Sequence, residues 1–126
     1  MPASIDSIVE EYQDQGCAML RAAVSPADLL PIQESIEQGV DQLAGKLHRR
    51  GLVSSLHEGE SFERRFAALA EDHQAIRMRS WDAIVFCEAL FDLMRHAGIV
   101  DVMARLVGPE VTCDGAYRGC VPSSPG

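Results

Sequence analysis

The sequence predicts an α+β chain, rich in helix and carrying two short strands. Three observations lead there. Apolar residues recur at steps of three and four over much of the first hundred positions, the spacing that lines one face of a helix. Two short runs, residues 17–24 and 111–117, are instead mostly apolar or loosely alternating, and Gly and Pro bracket them. With 47% hydrophobic and 24% charged residues the chain has the means to bury a core, and 126 residues make that core one domain or a piece of one.

Ser4 caps a first helix running to about Gln15, with Ile5, Ile8, Val9 and Tyr12 on one face, and Gly16 ends it. Residues 17–24 follow as the first strand. Ser25-Pro26-Ala27-Asp28 is a helix start: Ser caps, Pro sits where its missing N–H costs nothing, and the acid suits the helix dipole. Leu29, Ile32, Ile36, Val40, Leu43 and Leu47 form the stripe of this second helix. Pro31 either bends its first turn or puts the true start near Leu30. Gly39 and Gly45 each weaken it by up to ~1 kcal/mol relative to Ala.

Residues 48–60 have no clean period and read as a loop. Ser61 caps a third helix with Phe62, Phe66, Leu69, His73 and Ile76 on one face. Residues 77–82 are a second break, and 83–94 resume as helix, closed by His96-Ala97-Gly98. Ile99, Val100, Val102, Met103, Leu106 and Val107 give the last helix, stopped by Gly108-Pro109. In the second strand Val111, Cys113 and Tyr117 face one way, and Thr112, Asp114 and Ala116 the other. Paired with each other, two strands make a marginal ribbon unless helices cover a face, and their open edges invite self-association.

A net charge of −8 argues against nucleic acid or an anionic membrane as partner. No apolar run approaches the ~20 residues of a membrane helix. The start, Met1-Pro2-Ala3-Ser4-Ile5-Asp6, has no basic or apolar secretion signal. Cys17, Cys87, Cys113 and Cys120 form no Cys-x-x-Cys pair, so they read as reduced, mostly buried thiols of a cytoplasmic protein.

The residues offer no local catalytic motif. His48, His57, His73 and His96 lack metal-ligand spacing. His48 and His57 read as solvated loop residues, His73 as a packed, hydrogen-bonded ring, and His96 as a complement to a helix C-terminus. Ser54, Ser55, Ser123 and Ser124 lack a nucleophile elbow, and no Gly-rich phosphate loop occurs. Glu71 and Asp72 beside Arg64 and Arg65 read as a solvated helix face, and Trp81, Phe86 and Phe91 as core anchors.

Three stretches together resemble the N-terminal part of the phytanoyl-CoA dioxygenase family, the iron(II)- and 2-oxoglutarate-dependent oxygenases. They are Tyr12-Gln13-Asp14-Gln15-Gly16-Cys17-Ala18-Met19-Leu20-Arg21, then Val24-Ser25-Pro26-Ala27-Asp28-Leu29, then Leu90-Phe91-Asp92-Leu93-Met94 through Leu106-Val107-Gly108-Pro109-Glu110-Val111. Tyr117-Arg118 is similar to a Tyr-Arg pair often seen on the strand that enters the family's sheet after Leu-x-Gly-Pro. Cys120 departs from the basic residue commonly found just before the Pro. The resemblance implies the beginning of a double-stranded β-helix (jelly roll) with its sheet incomplete. It also places Tyr117 and Arg118 by the cofactor pocket.

In that family a later His-x-Asp and a distant His hold the iron, leaving positions for oxoglutarate and oxygen. Neither motif follows here. The expectation is therefore a single, truncated domain over residues 1–126, inactive alone, with no metal ligand or catalytic residue of its own. Iron(II), 2-oxoglutarate and a small organic substrate to be hydroxylated belong to the full-length form. The alternative is a small, helix-rich interaction domain without catalytic activity, its 111–117 strand pairing with a partner.

Overall fold

Every regular element among the described residues is helical. The computed structural model describes residues 3–76 and 79–113. They form six α-helices: α1 (Ile5–Gln15), α2 (Pro26–Arg49), α3 (Phe62–Asp72), α4 (Arg79–Val85), α5 (Glu88–Met94) and α6 (Ala97–Val107), with a 3-10 turn at Gln74–Ile76 after α3. No described residue belongs to a strand, so the α+β expectation with two strands is overturned. Residues 17–20 are irregular and 21–24 turn, with Ala22 in the left-handed region at φ 55°. Val111, Thr112 and Cys113 are irregular too, while the rest of the second expected strand lies outside the described residues. An apolar run becomes a strand only when another strand completes its hydrogen bonds, and none is present among the described residues.

The described chain divides into two compact units, one of residues 3–30 and 91–113, the other of 31–76 and 79–90. In the first, α1 packs against α6. Ser4 caps α1 as expected, its hydroxyl accepting from the Ser7 N–H at 3.1 Å, and Gly16 closes the helix in the left-handed conformation. Arg105 near the end of α6 pairs with Asp6 in the first turn of α1. Gly108 ends α6 at φ 106° and ψ 173°, a region essentially confined to glycine.

Helix α2 starts at Pro26, which settles the open question about Pro31: it lies inside the helix. Within the second unit Ile36, Val40, Ala44 and Leu47 of α2 are buried, as are Phe66, Leu69 and Ala70 of α3. Val53 from the connecting loop, Val85 and Leu90 complete this core. Phe66 meets Trp81 of α4 with ring centroids 4.8 Å apart at 47°, a tilted pair worth about 0.5–1.5 kcal/mol beyond its buried area. At Gly39 an added Cβ would lie 3.0 Å from Ile84 Cγ2, so the missing side chain lets α2 and α4 approach closely.

Ser61 occupies the N-cap of α3 as expected, its carbonyl rather than its hydroxyl taking the helical N–H bonds, from Arg64 and Arg65. Three local readings need correction. Trp81 and Asp82 are helical, and the helix expected over 83–94 is broken at Phe86 and Cys87. Val, Phe and Cys are all poor helix formers, and Glu88 suits the first turn of a new helix. Phe86 and Phe91 are about half exposed and are not core anchors, and Cys17 and Cys113 are exposed rather than buried. No described helix is long and apolar enough to cross a membrane.

Candidate functional site

The densest polar constellation of the first unit joins the turn before α2 to the start of α6. Ser25 and Asp28 form a reciprocal capping box. The Ser25 N–H and hydroxyl donate to Asp28 Oδ2 at 3.0 and 2.7 Å, and the Asp28 N–H donates back to Ser25 Oγ at 3.2 Å. His96 lies 3.1 Å from the same Oδ2 through Nε2. Its Nδ1 accepts the Gly98 N–H at 3.0 Å, so the ring caps α6, while the His96 backbone N–H donates back to the Leu93 carbonyl near the end of α5 at 3.0 Å. A ring nitrogen that accepts an N–H carries no proton, which assigns the ring proton to Nε2 and aims it at Asp28. The Ser25 hydrogen bonds foremost, and then the nearby imidazole, hold the Asp28 carboxyl below its ordinary value.

The chain closes tightly over this point. A Cβ built on Gly98 would lie 2.2 Å from the Ala23 carbonyl oxygen and 3.0 Å from His96 Nδ1. The residue types Ser, Asp and His invite comparison with a nucleophilic triad, and the geometry rejects it. There the serine hydroxyl donates to the imidazole, which is free to take the proton. Here the hydroxyl donates to the carboxylate, and both imidazole nitrogens are engaged elsewhere. The arrangement is a clamp, holding the 20–25 turn to α6.

The second unit has its own polar cluster, around the loop after α2. Arg65, only 15% exposed at its side chain, donates from Nε and Nη2 to the Leu56 carbonyl at 3.2 Å each and pairs with Asp41. His57, in the left-handed region at φ 51°, places Nε2 2.8 Å from Asp72 Oδ2 and takes its backbone N–H to Ser55 Oγ at 3.1 Å. His57 is thus paired rather than solvated, and Arg65 and Asp72 anchor a loop rather than lying idle on a helix face. A small, open depression nearby is lined by Glu60, Arg64, Ala67, Ala68 and Glu71. His73 is half-buried at the end of α3 with no ring hydrogen bond among the described residues, and His48 is exposed in the last turn of α2.

The first unit also carries an apolar surface. Ile5, Tyr12, Met19, Leu29, Leu30, Phe91, Met103, Val107 and Val111 are exposed, against Ile8 and Val102 alone buried among the described apolar residues of that unit. Met103 and Val107 are one turn apart on α6 and so share a face, with Val107 63% exposed. The expected stripe of α1 is buried at Ile8, whereas Ile5 and Tyr12 remain open.

Tyr117 and Arg118 lie outside the described residues. Among the described residues no three His, Cys, Asp or Glu side chains converge as a metal site, so these residues do not supply a donor set for iron. Sequence reasoning missed the Ser25–Asp28–His96 clamp. Its capping-box half was visible as Ser-x-x-Asp, but nothing in the sequence announces the arrival of His96 from 68 residues away (96 − 28). Comparison of the chain with protein-family models, with curated proteins and with solved structures finds no match.

Proposed function

We propose that this chain is the helical front portion of an iron(II)- and 2-oxoglutarate-dependent oxygenase of the phytanoyl-CoA dioxygenase kind. In this reading it shapes and covers the catalytic domain without itself performing chemistry. The full-length protein would hydroxylate an unactivated C–H bond of a small organic substrate. The observation that carries the reading is the apolar surface of the first unit, which falls on the stretches that resemble the family. Met19 follows the Gly16 stop, Leu29 follows the Ser25 capping box, and Val107 and Val111 flank Gly108-Pro109. Full burial of one such side chain contributes about 1.5–3 kcal/mol, so a sheet laid over them would stabilise the unit substantially.

Iron and oxoglutarate are held, in this proposal, by residues other than the described ones, with Tyr117 and Arg118 beside the cosubstrate. A cytoplasmic setting suits the free thiols Cys17, Cys87 and Cys113.

The test is to read the coding DNA past codon 126 and to assay two proteins, this chain and the version extended by whatever follows. The expected outcome is a downstream His-x-Asp with a later His, Fe(II) and oxoglutarate binding by the extended protein, and neither by this chain. A stoichiometric Fe(II) site of micromolar affinity in the isolated chain would overturn the reading. So would an intact native mass of 13.7 kDa with no such downstream frame.

The absence of any strand among the described residues favours a second reading, a small helical interaction domain whose apolar face meets a partner protein. A strand-edge partner is no longer part of it. A cooperative monomer that stays soluble with that face uncovered would count against this reading.

A further inference from the structure

We draw no further inference here: the strongest candidate, the exposed apolar face of α1 and α6 around Tyr12, Met103 and Val107, carries nothing beyond the proposed function because nothing in the structure shows what covers it.

Discussion

Replacing Gly98 by Ala sets two physical effects of opposite sign against each other. In an exposed helix interior the change is stabilising by up to about 1 kcal/mol, because Ala loses less backbone entropy. At Gly98 the new methyl would lie 2.2 Å from the Ala23 oxygen and 3.0 Å from His96 Nδ1, and carbon does not approach backbone oxygen so closely. Relief requires the 20–25 turn and the start of α6 to part by on the order of 1 Å, an overpacking strain that typically costs 1–3 kcal/mol. That separation also pulls His96 from its capping geometry, and a lost N-cap costs about 1 kcal/mol more. The net expectation is a destabilisation of about 1–3 kcal/mol. Gly45→Ala is the control, since its Cβ would meet only the mobile end of Arg49 at 3.4 Å, and it should stabilise by up to ~1 kcal/mol. Urea unfolding gives the sign for each variant, and amide hydrogen exchange at Ile99 and Val100 locates the damage. A Gly98→Ala protein as stable as wild type, with those amides still protected, would refute the close approach and the clamp with it.

Gly39→Ala brings a Cβ to 3.0 Å from Ile84 Cγ2, so it should cancel its helix-propensity gain and cost up to about 2 kcal/mol; adding Ile84→Ala should remove that steric part in a double-mutant cycle. The Asp28 carboxyl is held below its ordinary value in the folded chain, so its contribution is present above the unfolded value of about 3.9 and is lost as pH falls through the lower folded value. Denaturation midpoints measured from pH 6 to pH 2 should therefore fall less steeply for Asp28→Asn than for wild type. Phe66→Ala should cost about 3–5 kcal/mol and shift the emission of Trp81, the sole tryptophan, to the red; unchanged emission would mean the two rings are not packed. Arg65→Ala should speed limited proteolysis in residues 50–60, because both hydrogen bonds to the Leu56 carbonyl are lost, whereas Asp41→Ala should leave it nearly unchanged, since that carboxylate is mostly exposed.

The helix boundaries readable in the sequence are those decided within a few residues. Ser4, Ser25, Gly16 and Gly108 act on backbone groups three or four positions away, so their roles survive whatever the rest of the chain does. His96 shows the limit of such local reading. A histidine between two helices suits the dipole at the end of one or the N-cap of the next, and only the direction of its ring decides which. Asp41–Arg65, His57–Asp72 and Asp28–His96 join residues far apart in sequence, and no periodicity encodes them.

The misread strands expose the deeper asymmetry. A helix closes its hydrogen bonds internally, so an amphipathic pattern is enough to predict one, whereas a strand is a statement about a neighbour. Residues 17–24 have the apolar content of a strand but are irregular over 17–20 and turn over 21–24, where the Ala23 carbonyl lies close to Gly98 at the start of α6. The same helices leave Met19, Phe91 and Val107 more than half exposed, while the polar groups of the clamp also stay at the surface. A surface of that composition is disfavoured in water, and covering it with a layer whose own hydrogen bonds are complete recovers that free energy. A sheet from the same chain and a helix from a partner both meet that condition, and they differ in what they do to residues 17–24. A sheet would convert that turn to an extended strand, while a docked helix would leave Ala22 left-handed and the Gly98 contact intact. The backbone at Ala22, measured with that face covered, therefore separates the proposed oxygenase reading from the proposed interaction-module reading.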